Sequence, residues 1–406
     1  MNAPPNLIEE QLEKGVLFKD ESILDVNYIP DQLLHRDLEL KILSTHFLAI
    51  IKIPFRVSRK MIITGDVGLG KTVASKYFGN MLVVAAKKRQ INVRCIHVNC
   101  RICKTSYSVA YNILNSFMPN TPKRGFSTQD LVDSMHQFLQ KNKVYLFLIL
   151  DEINYLTERD PEIIYTLTRL TENEYNKDQY LSLLCIVRDL TYIQKLDAST
   201  YSSLQRNVLR FKKYTIEQIF DILKNRAEMA FRKDCINDDN IHLISNIIQK
   251  SGDLRYGLDL LLGAGKYAEL NNLPSIDPEC VRFANNKIIS AVSKENLQNL
   301  PKHPLILLLA IIRSLKQQNQ AFISTAELIG EYQSYCLELG QKSRKGTQIW
   351  EYLQTLDKDG FINIVTTSKN IRGRKNLIFI SDIPLEFLED YILKERGEEL
   401  RNDSEW

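Results

Sequence analysis

The chain has 406 residues, 44% hydrophobic and 25% charged, a composition typical of soluble globular protein with room for two or three domains. No apolar run approaches the about 20 residues of a membrane span. The start Met1-Asn2-Ala3-Pro4-Pro5 lacks the basic and apolar regions of a secretory signal, and seven scattered cysteines suggest reduced thiols, so a cytoplasmic protein without a membrane partner is expected. The net charge of +4 is uneven: residues 301–380 hold 11 Lys/Arg against 6 Asp/Glu, and residues 381–406 hold 3 against 9.

In chain order, residues 1–27 read as a loosely docked arm. Tyr28-Ile29-Pro30-Asp31 reads as an extended turn, and a helix is expected over Gln32–Ile53, closed by Pro54. The β-branched run Met61–Thr64 reads as a strand, followed by a helix over Val73–Val84, a strand over Ile91–Asn99 and a helix over Ser106–Phe117. Ser127 is placed as N-cap of a helix to Leu139. Val144–Leu150 and Tyr180–Val187 are nearly all apolar, as in strands of a parallel sheet buried on both faces. A helix is placed between them at Pro161–Glu174, and Val208–Phe211 is a short last strand.

From Thr215 the pattern is helical only: a capping box Thr215-x-x-Gln218 opens Ile216–Phe231, followed by Asp239–Lys250, Asp253–Leu270 and Asp277–Val292. Three helices (Pro304–Gln318, Thr325–Leu339, Lys345–Asp359) and two strands (Phe361–Thr367, Leu377–Ile380) around a basic loop describe a winged helix-turn-helix. A helix over Pro384–Lys394 precedes an acidic, disordered end. The expected fold is α/β: a parallel-sheet P-loop domain (28–213), a helical lid (214–298), a winged helix (299–383), and a terminal helix with an acidic tail (384–406).

Gly65-Asp66-Val67-Gly68-Leu69-Gly70-Lys71-Thr72 fits G-x-x-x-x-G-K-[ST]. Glycines let successive backbone N–H groups turn inward toward a phosphate, and the following helix adds its positive dipole end. Lys71 would reach the β- and γ-phosphates of ATP or ADP, and the Thr72 hydroxyl would ligate Mg²⁺. Asp151-Glu152 ends an apolar strand about 80 residues later, where such a site needs an acidic pair: Asp151 for Mg²⁺, Glu152 for the attacking water. Arg255 opens a lid helix and either reaches the γ-phosphate or pairs with Asp253 or Asp259 at the surface. Cys100-x-x-Cys103 lacks a second pair at zinc-finger spacing and reads as structural thiols.

These motifs, with Tyr28-Ile29-Pro30, Leu34-His35-Arg36-Asp37, His97-Val98-Asn99-Cys100-Arg101 and Ser251-Gly252-Asp253-Leu254-Arg255, resemble the archaeal replication-initiator family of AAA+ ATPases. That family comprises relatives of the eukaryotic origin recognition complex and its helicase-loading partner. The resemblance implies ATP held between sheet and lid, with Ile29, Val73 and Tyr214 beside the P-loop and Arg255 as second sensor. It also implies that the winged helix and an AAA+ insertion grip double-stranded origin DNA. Paralogous initiators and the replicative helicase are further implied partners. Two positions depart from the family pattern: Arg188 stands where an asparagine is usual, a cation that would still bind ATP near the γ-phosphate without positioning water as asparagine does, and Ser199 stands where an arginine is frequent. Slow hydrolysis is therefore expected.

Lys342-Ser343-Arg344-Lys345-Gly346-Thr347-Gln348 precedes and opens the third winged-helix helix. Thr347 and Gln348 suit base edges, and Arg344 and Lys345 suit phosphates. Arg372, Arg374 and Lys375 in the wing suit the minor groove or backbone, and Lys123-Arg124 offer a further contact. The reading is an ATP-switched origin binder. The alternatives are a DNA-binding regulator with an inactive ATPase, and a loader acting on protein partners.

Overall fold

The computed structural model describes residues 17–170, 178–285, 297–366 and 375–401. The chain forms two compact units, one of residues 29–218 with 252–254, the other of residues 1–28, 219–251 and 255–406.

The first unit is built on a five-stranded sheet: β1 (Lys60–Thr64), β2 (Val93–Asn99), β3 (Tyr145–Asp151), β4 (Leu181–Val187) and β5 (Val208–Arg210). The order is β2-β3-β4-β1-β5, with every pairing parallel. The apolar runs are strands because both faces are covered. On β3, Leu146, Leu148 and Leu150 enter one core with α3 (Ser106–Phe117), α4 (Thr128–Lys141) and α5 (Glu162–Leu170). Tyr145, Phe147 and Ile149 alternate into the other, beneath α1 (Asp37–Phe47) and α2 (Lys71–Lys87). Thr105 and Ser127 cap α3 and α4, each with a reciprocal capping box. A further helix, α6 (Ala198–Gln205), was not expected from the sequence; Asp197 caps it through the Ser199 and Thr200 N–H groups.

The helix expected from Gln32 begins only at Asp37, because His35 takes a left-handed φ of 56° and Arg36 turns into the interior. The helix expected over Pro161–Glu174 is described as Glu162–Leu170, its remainder lying outside the described residues.

After the sheet comes α7 (Ile216–Ala230), which belongs to the second unit from Ile219 onward and opens on the Thr215–Gln218 box: the Thr215 N–H donates to Gln218 Oε1 at 3.1 Å and the Gln218 N–H to Thr215 Oγ1 at 3.3 Å. Then follow α8 (Asp238–Gln249), α9 (Leu254–Leu270) and α10 (Pro278–Ala284). Residues 17–28, expected in a loose arm, are held in place. Phe18 stacks on Phe231 at 4.8 Å, and Arg226 donates to the Ile23 carbonyl at 3.1 Å.

The winged helix comprises α11 (Lys302–Gln317), β6 (Ile323–Ser324), α12 (Thr325–Glu338), α13 (Gly346–Lys358), β7 (Asn363–Thr366) and β8 (Asn376–Phe379). Its antiparallel sheet runs β6-β8-β7. The last helix, α14 (Leu385–Arg401), runs seven residues beyond its expected end at Lys394, so most of the supposed acidic tail is helical. Leu400 is anchored in the same core as Leu388 and Ile392, which rewards continuing the helix.

Three histidines give the fold an acid sensitivity. Burial lowers the pKa of His46, His136 and His242; His46 Nε2 also lies 3.0 Å from the Lys60 carbonyl, which opposes the shift. The unfolded chain therefore binds more protons than the folded one just below the ordinary histidine pKa of about 6.5, and stability rises with pH there. Thermal melts are expected to show a lower Tm at pH 5.5 than at pH 7.5. A flat profile over this range would contradict buried neutral imidazoles.

Candidate nucleotide site and nucleic-acid interface

The sheet order places the ends of β3, β4 and β1 side by side at its carboxyl edge, where open parallel sheets bind ligands. Gly65, Gly68 and Gly70 have φ of 146°, 78° and 76°. At Gly68 a Cβ would lie 2.1 Å from Asp253 Oδ1, so both conformation and space demand glycine. Asp66 and Val67 are exposed at the loop tip. Lys71 Nζ donates to the Gly65 and Asp66 carbonyls at 2.7 and 2.5 Å, arching over the loop. Leu69 is buried in the core. Val73 is half-buried in the first turn of α2.

Thr72 Oγ1 donates to Asp151 Oδ2 at 2.7 Å, and His97 Nε2 lies 3.1 Å from the same oxygen. Asp151 is 2% exposed. Burial pushes its carboxyl up, but the hydrogen bonds from His97 and Thr72 outweigh this and hold it below the ordinary carboxylate range. Its other oxygen, Oδ1, is buried without a hydrogen-bond partner among the described residues. An ionised, half-satisfied carboxylate beside a threonine hydroxyl fits a hard divalent cation such as Mg²⁺. Glu152 follows with a left-handed φ of 55°, and its Oε1 lies 3.5 Å from Arg188 Nη2.

Arg36, which the motif Leu34-His35-Arg36-Asp37 marked without giving it a role, is a supporting residue. It is 3% exposed and donates to the Leu69 carbonyl at 3.0 Å and the Lys212 carbonyl at 3.1 Å. Its guanidinium lies 3.8 Å above the Tyr214 ring and 4.8 Å from that of Phe211. Arg36 thus ties the P-loop to the segment after β5, and Tyr214 stands against Gly70. His97 was equally unmarked as a partner of Asp151, although strand alternation puts it on the adjacent β2. Cys100 is buried in the sheet core, and its thiol is pushed up by burial.

The structure therefore gathers Gly65 to Thr72, Asp151, Glu152, Arg188 and Tyr214 at one edge. Ile29 is half-buried in the segment before α1, and Arg255 is exposed in the first turn of α9. Ser199 accepts a hydrogen bond from Arg169 at 2.5 Å.

Lys345 holds the N-cap position of α13 without a side-chain cap, and Thr347 and Gln348 are exposed in its first turn. The preceding loop is fixed from below: buried Tyr332 shares its Oη with His303 Nδ1 at 2.8 Å and meets the Arg344 backbone. Arg344 is half-buried there. Lys375 is exposed just before β8, whereas Arg372 and Arg374 lie outside the described residues. Lys123 and Arg124 are exposed on a loop that Tyr107 and Tyr111 pin through the Lys123 and Thr121 carbonyls, at 2.9 and 3.1 Å.

A P-loop on a five-stranded parallel sheet, a four-helix segment and a winged helix define an AAA+ ATPase with lid and C-terminal winged helix. Family models agree segment by segment: an AAA domain over residues 57–192, a Cdc6 AAA+ ATPase-type lid domain over 220–286, and a CDC6 C-terminal winged helix domain over 295–389. The chain is 32% identical to an ORC1-type DNA replication protein 2 of Sulfurisphaera tokodaii, covering 96% of both chains. In structure it matches Cdc6p of Pyrobaculum aerophilum (TM-score 0.81, 28% identity, 95% of this chain and 100% of that one). It also matches an ORC1 protein of Aeropyrum pernix in complex with DNA (TM-score 0.61, 27% identity, 93% and 97%). The chain belongs to the Cdc6/ORC1-type AAA+ family.

Proposed function

We propose that the protein is a DNA replication initiator that binds ATP with Mg²⁺ and grips double-stranded origin DNA, with ATP as a slowly hydrolysed switch. The observation that carries the nucleotide half is the Thr72–Asp151 pair, with Asp151 Oδ1 buried and lacking a hydrogen bond among the described residues, set beside the glycine cradle. In this reading Lys71 leaves the loop carbonyls for the β- and γ-phosphates, and the backbone N–H groups of residues 65–72 surround the phosphate chain. Thr72 and Asp151 would hold Mg²⁺, which would supply positive charge against the phosphate chain. Glu152 takes a proton from water as the water oxygen bonds to the γ-phosphorus. The bond from that phosphorus to the β–γ bridging oxygen breaks, leaving ADP and phosphate. Arg255 serves as the second sensor of the γ-phosphate, the role that the family resemblance gives its motif Ser251-Gly252-Asp253-Leu254-Arg255.

The DNA half is supported by the relative that is bound to DNA and by the exposed first turn of α13. In this reading Thr347 and Gln348 face base edges, Arg344 and Lys345 meet phosphates, and Arg372, Arg374 and Lys375 enter the minor groove or track the backbone, with Lys123 and Arg124 as a second grip.

One experiment tests both halves. Glu152→Gln is expected to lower single-turnover hydrolysis at least roughly 100-fold, the range of general-base losses, while leaving ATP affinity within a few-fold. In the same preparation, Lys345→Ala is expected to weaken binding to origin fragments and reduce the slope of log K against log salt by about 1. Unchanged hydrolysis would remove Glu152 from the chemistry, and an unchanged slope would remove Lys345 from the interface.

A further inference from the structure

Arg188 sits directly beside the acidic pair, and its contacts are specific. Strand β4 lies between β3 and β1, so the residue after Val187 emerges between the acidic pair and the P-loop. The Arg188 backbone is fixed there. Its carbonyl accepts the Thr64 hydroxyl at 3.0 Å and the Gly65 N–H at 3.4 Å. With the main chain held, the side chain turns toward β3, where Nη2 meets Glu152 Oε1 at 3.5 Å. Glu152 is constrained too: its φ is 55°, and the next residue's N–H is bonded to the Ile186 carbonyl at 3.1 Å. Two pinned backbones on adjacent strands thus present the guanidinium to the carboxylate.

We propose that Arg188 is a brake on hydrolysis: it engages the Glu152 oxygen that must take the water proton. The inference rests on the reading of Glu152 as the residue that activates water, and Arg188 acts through Glu152, as a positioning residue. For turnover, Glu152 must leave Arg188, so the protein dwells longer in its ATP-bound form. The side chains are 44% and 24% exposed, so the brake is partial and open to screening by salt.

The test compares kcat and KM for ATP in wild type, Arg188→Ala and Arg188→Lys. Arg188→Ala is expected to raise kcat roughly two- to five-fold, the range that an exposed ion pair can contribute, with KM little changed. Arg188→Lys, which keeps the charge, gives a smaller rise. Raising salt from 50 to 500 mM increases kcat of wild type more than that of Arg188→Ala. In the nucleotide-free protein, the pair should slow rotation of the Arg188 guanidinium in ¹⁵N NMR spectra, and Glu152→Ala should abolish that slowing. A fall in kcat of Arg188→Ala, with equal salt responses, would overturn the brake and make Arg188 an activating group. If wild type fails to bind a fluorescent ATP analogue, or Glu152→Gln hydrolyses normally, the underlying reading fails and the brake falls with it; intact binding with an unmoved kcat in Arg188→Ala sinks the brake alone.

Discussion

Arg282→Ala is expected to destabilise the unit that contains the lid and winged helix by roughly 3–5 kcal/mol, the cost of removing one partner from a buried ion pair. Arg282 is 2% exposed and lies on α10 of the lid. Its Nε donates to the Ile380 carbonyl at 2.9 Å and its Nη2 to the Gln320 carbonyl at 3.4 Å, both in the winged helix. Its Nη1 lies 3.3 Å from Glu279 Oε2, and Glu279 Oε1 accepts the Leu385 N–H at 2.9 Å. Asn285 continues the seam through the Ser381 carbonyl at 2.7 Å. Alanine would leave two carbonyls and a carboxylate without their cation. Burial already pushes the Glu279 carboxyl up, with Arg282 opposing. Without Arg282 the folded protein would hold a proton on Glu279 more tightly still. A raised carboxyl pKa gives stability at low pH that is lost as pH rises through it, so the deficit should be smaller at pH 5 than at pH 8. Arg282→Met/Glu279→Met, which removes both charges, should recover part of the loss in urea unfolding. A loss below about 1 kcal/mol in the single variant would show that the seam is not a buried electrostatic tie.

The sequence disclosed most of this fold because its strands are buried on both faces. Runs such as Val144–Leu150 have no reading compatible with an exposed surface. Helix starts were legible where a side chain caps them, as at Thr105, Ser127, Thr215, Asp277 and Ser324. Failures fell where tertiary contacts decide. The first helix begins late because Arg36 is drawn in to Leu69 and Tyr214, residues remote in sequence. The last helix continues past Lys394 because Leu400 finds a core that acidic composition does not reveal. The nucleotide site was legible as motifs, but motifs carry no pairings. The Arg188–Glu152 contact, the Thr72–His97–Asp151 cluster and the Arg282 seam exist only through strand order and packing. Likewise, Asp253 entered the sequence reading only as one of two alternative surface partners for Arg255, and its contact with Gly68 depends on the chain returning to the P-loop after 185 residues.

That contact sets the second large effect. Gly68→Val is expected to lower ATP affinity at least roughly 100-fold, about 2.7 kcal/mol. Two costs act together. The φ of 78° lies in the left-handed region, which costs an L-residue roughly 1–2 kcal/mol and a β-branched one more. A Cβ there would also lie 2.1 Å from Asp253 Oδ1 and 2.6 Å from the Asp253 Cα. The carboxylate can rotate away, but the Cα cannot, so either the loop or the 252–254 segment must shift. A shifted loop misdirects the N–H groups that would surround the phosphates, and it sits one residue from Leu69, whose carbonyl Arg36 holds. Gly68→Val/Asp253→Gly should therefore restore only part of the affinity, because it removes the carboxylate but leaves the backbone. Binding of a fluorescent ATP analogue gives the affinities, and circular dichroism melts establish that the variants remain folded. Affinity within about three-fold of wild type in a folded Gly68→Val protein would show that the loop reshapes freely, and would withdraw the 65–72 cradle as a preformed phosphate site.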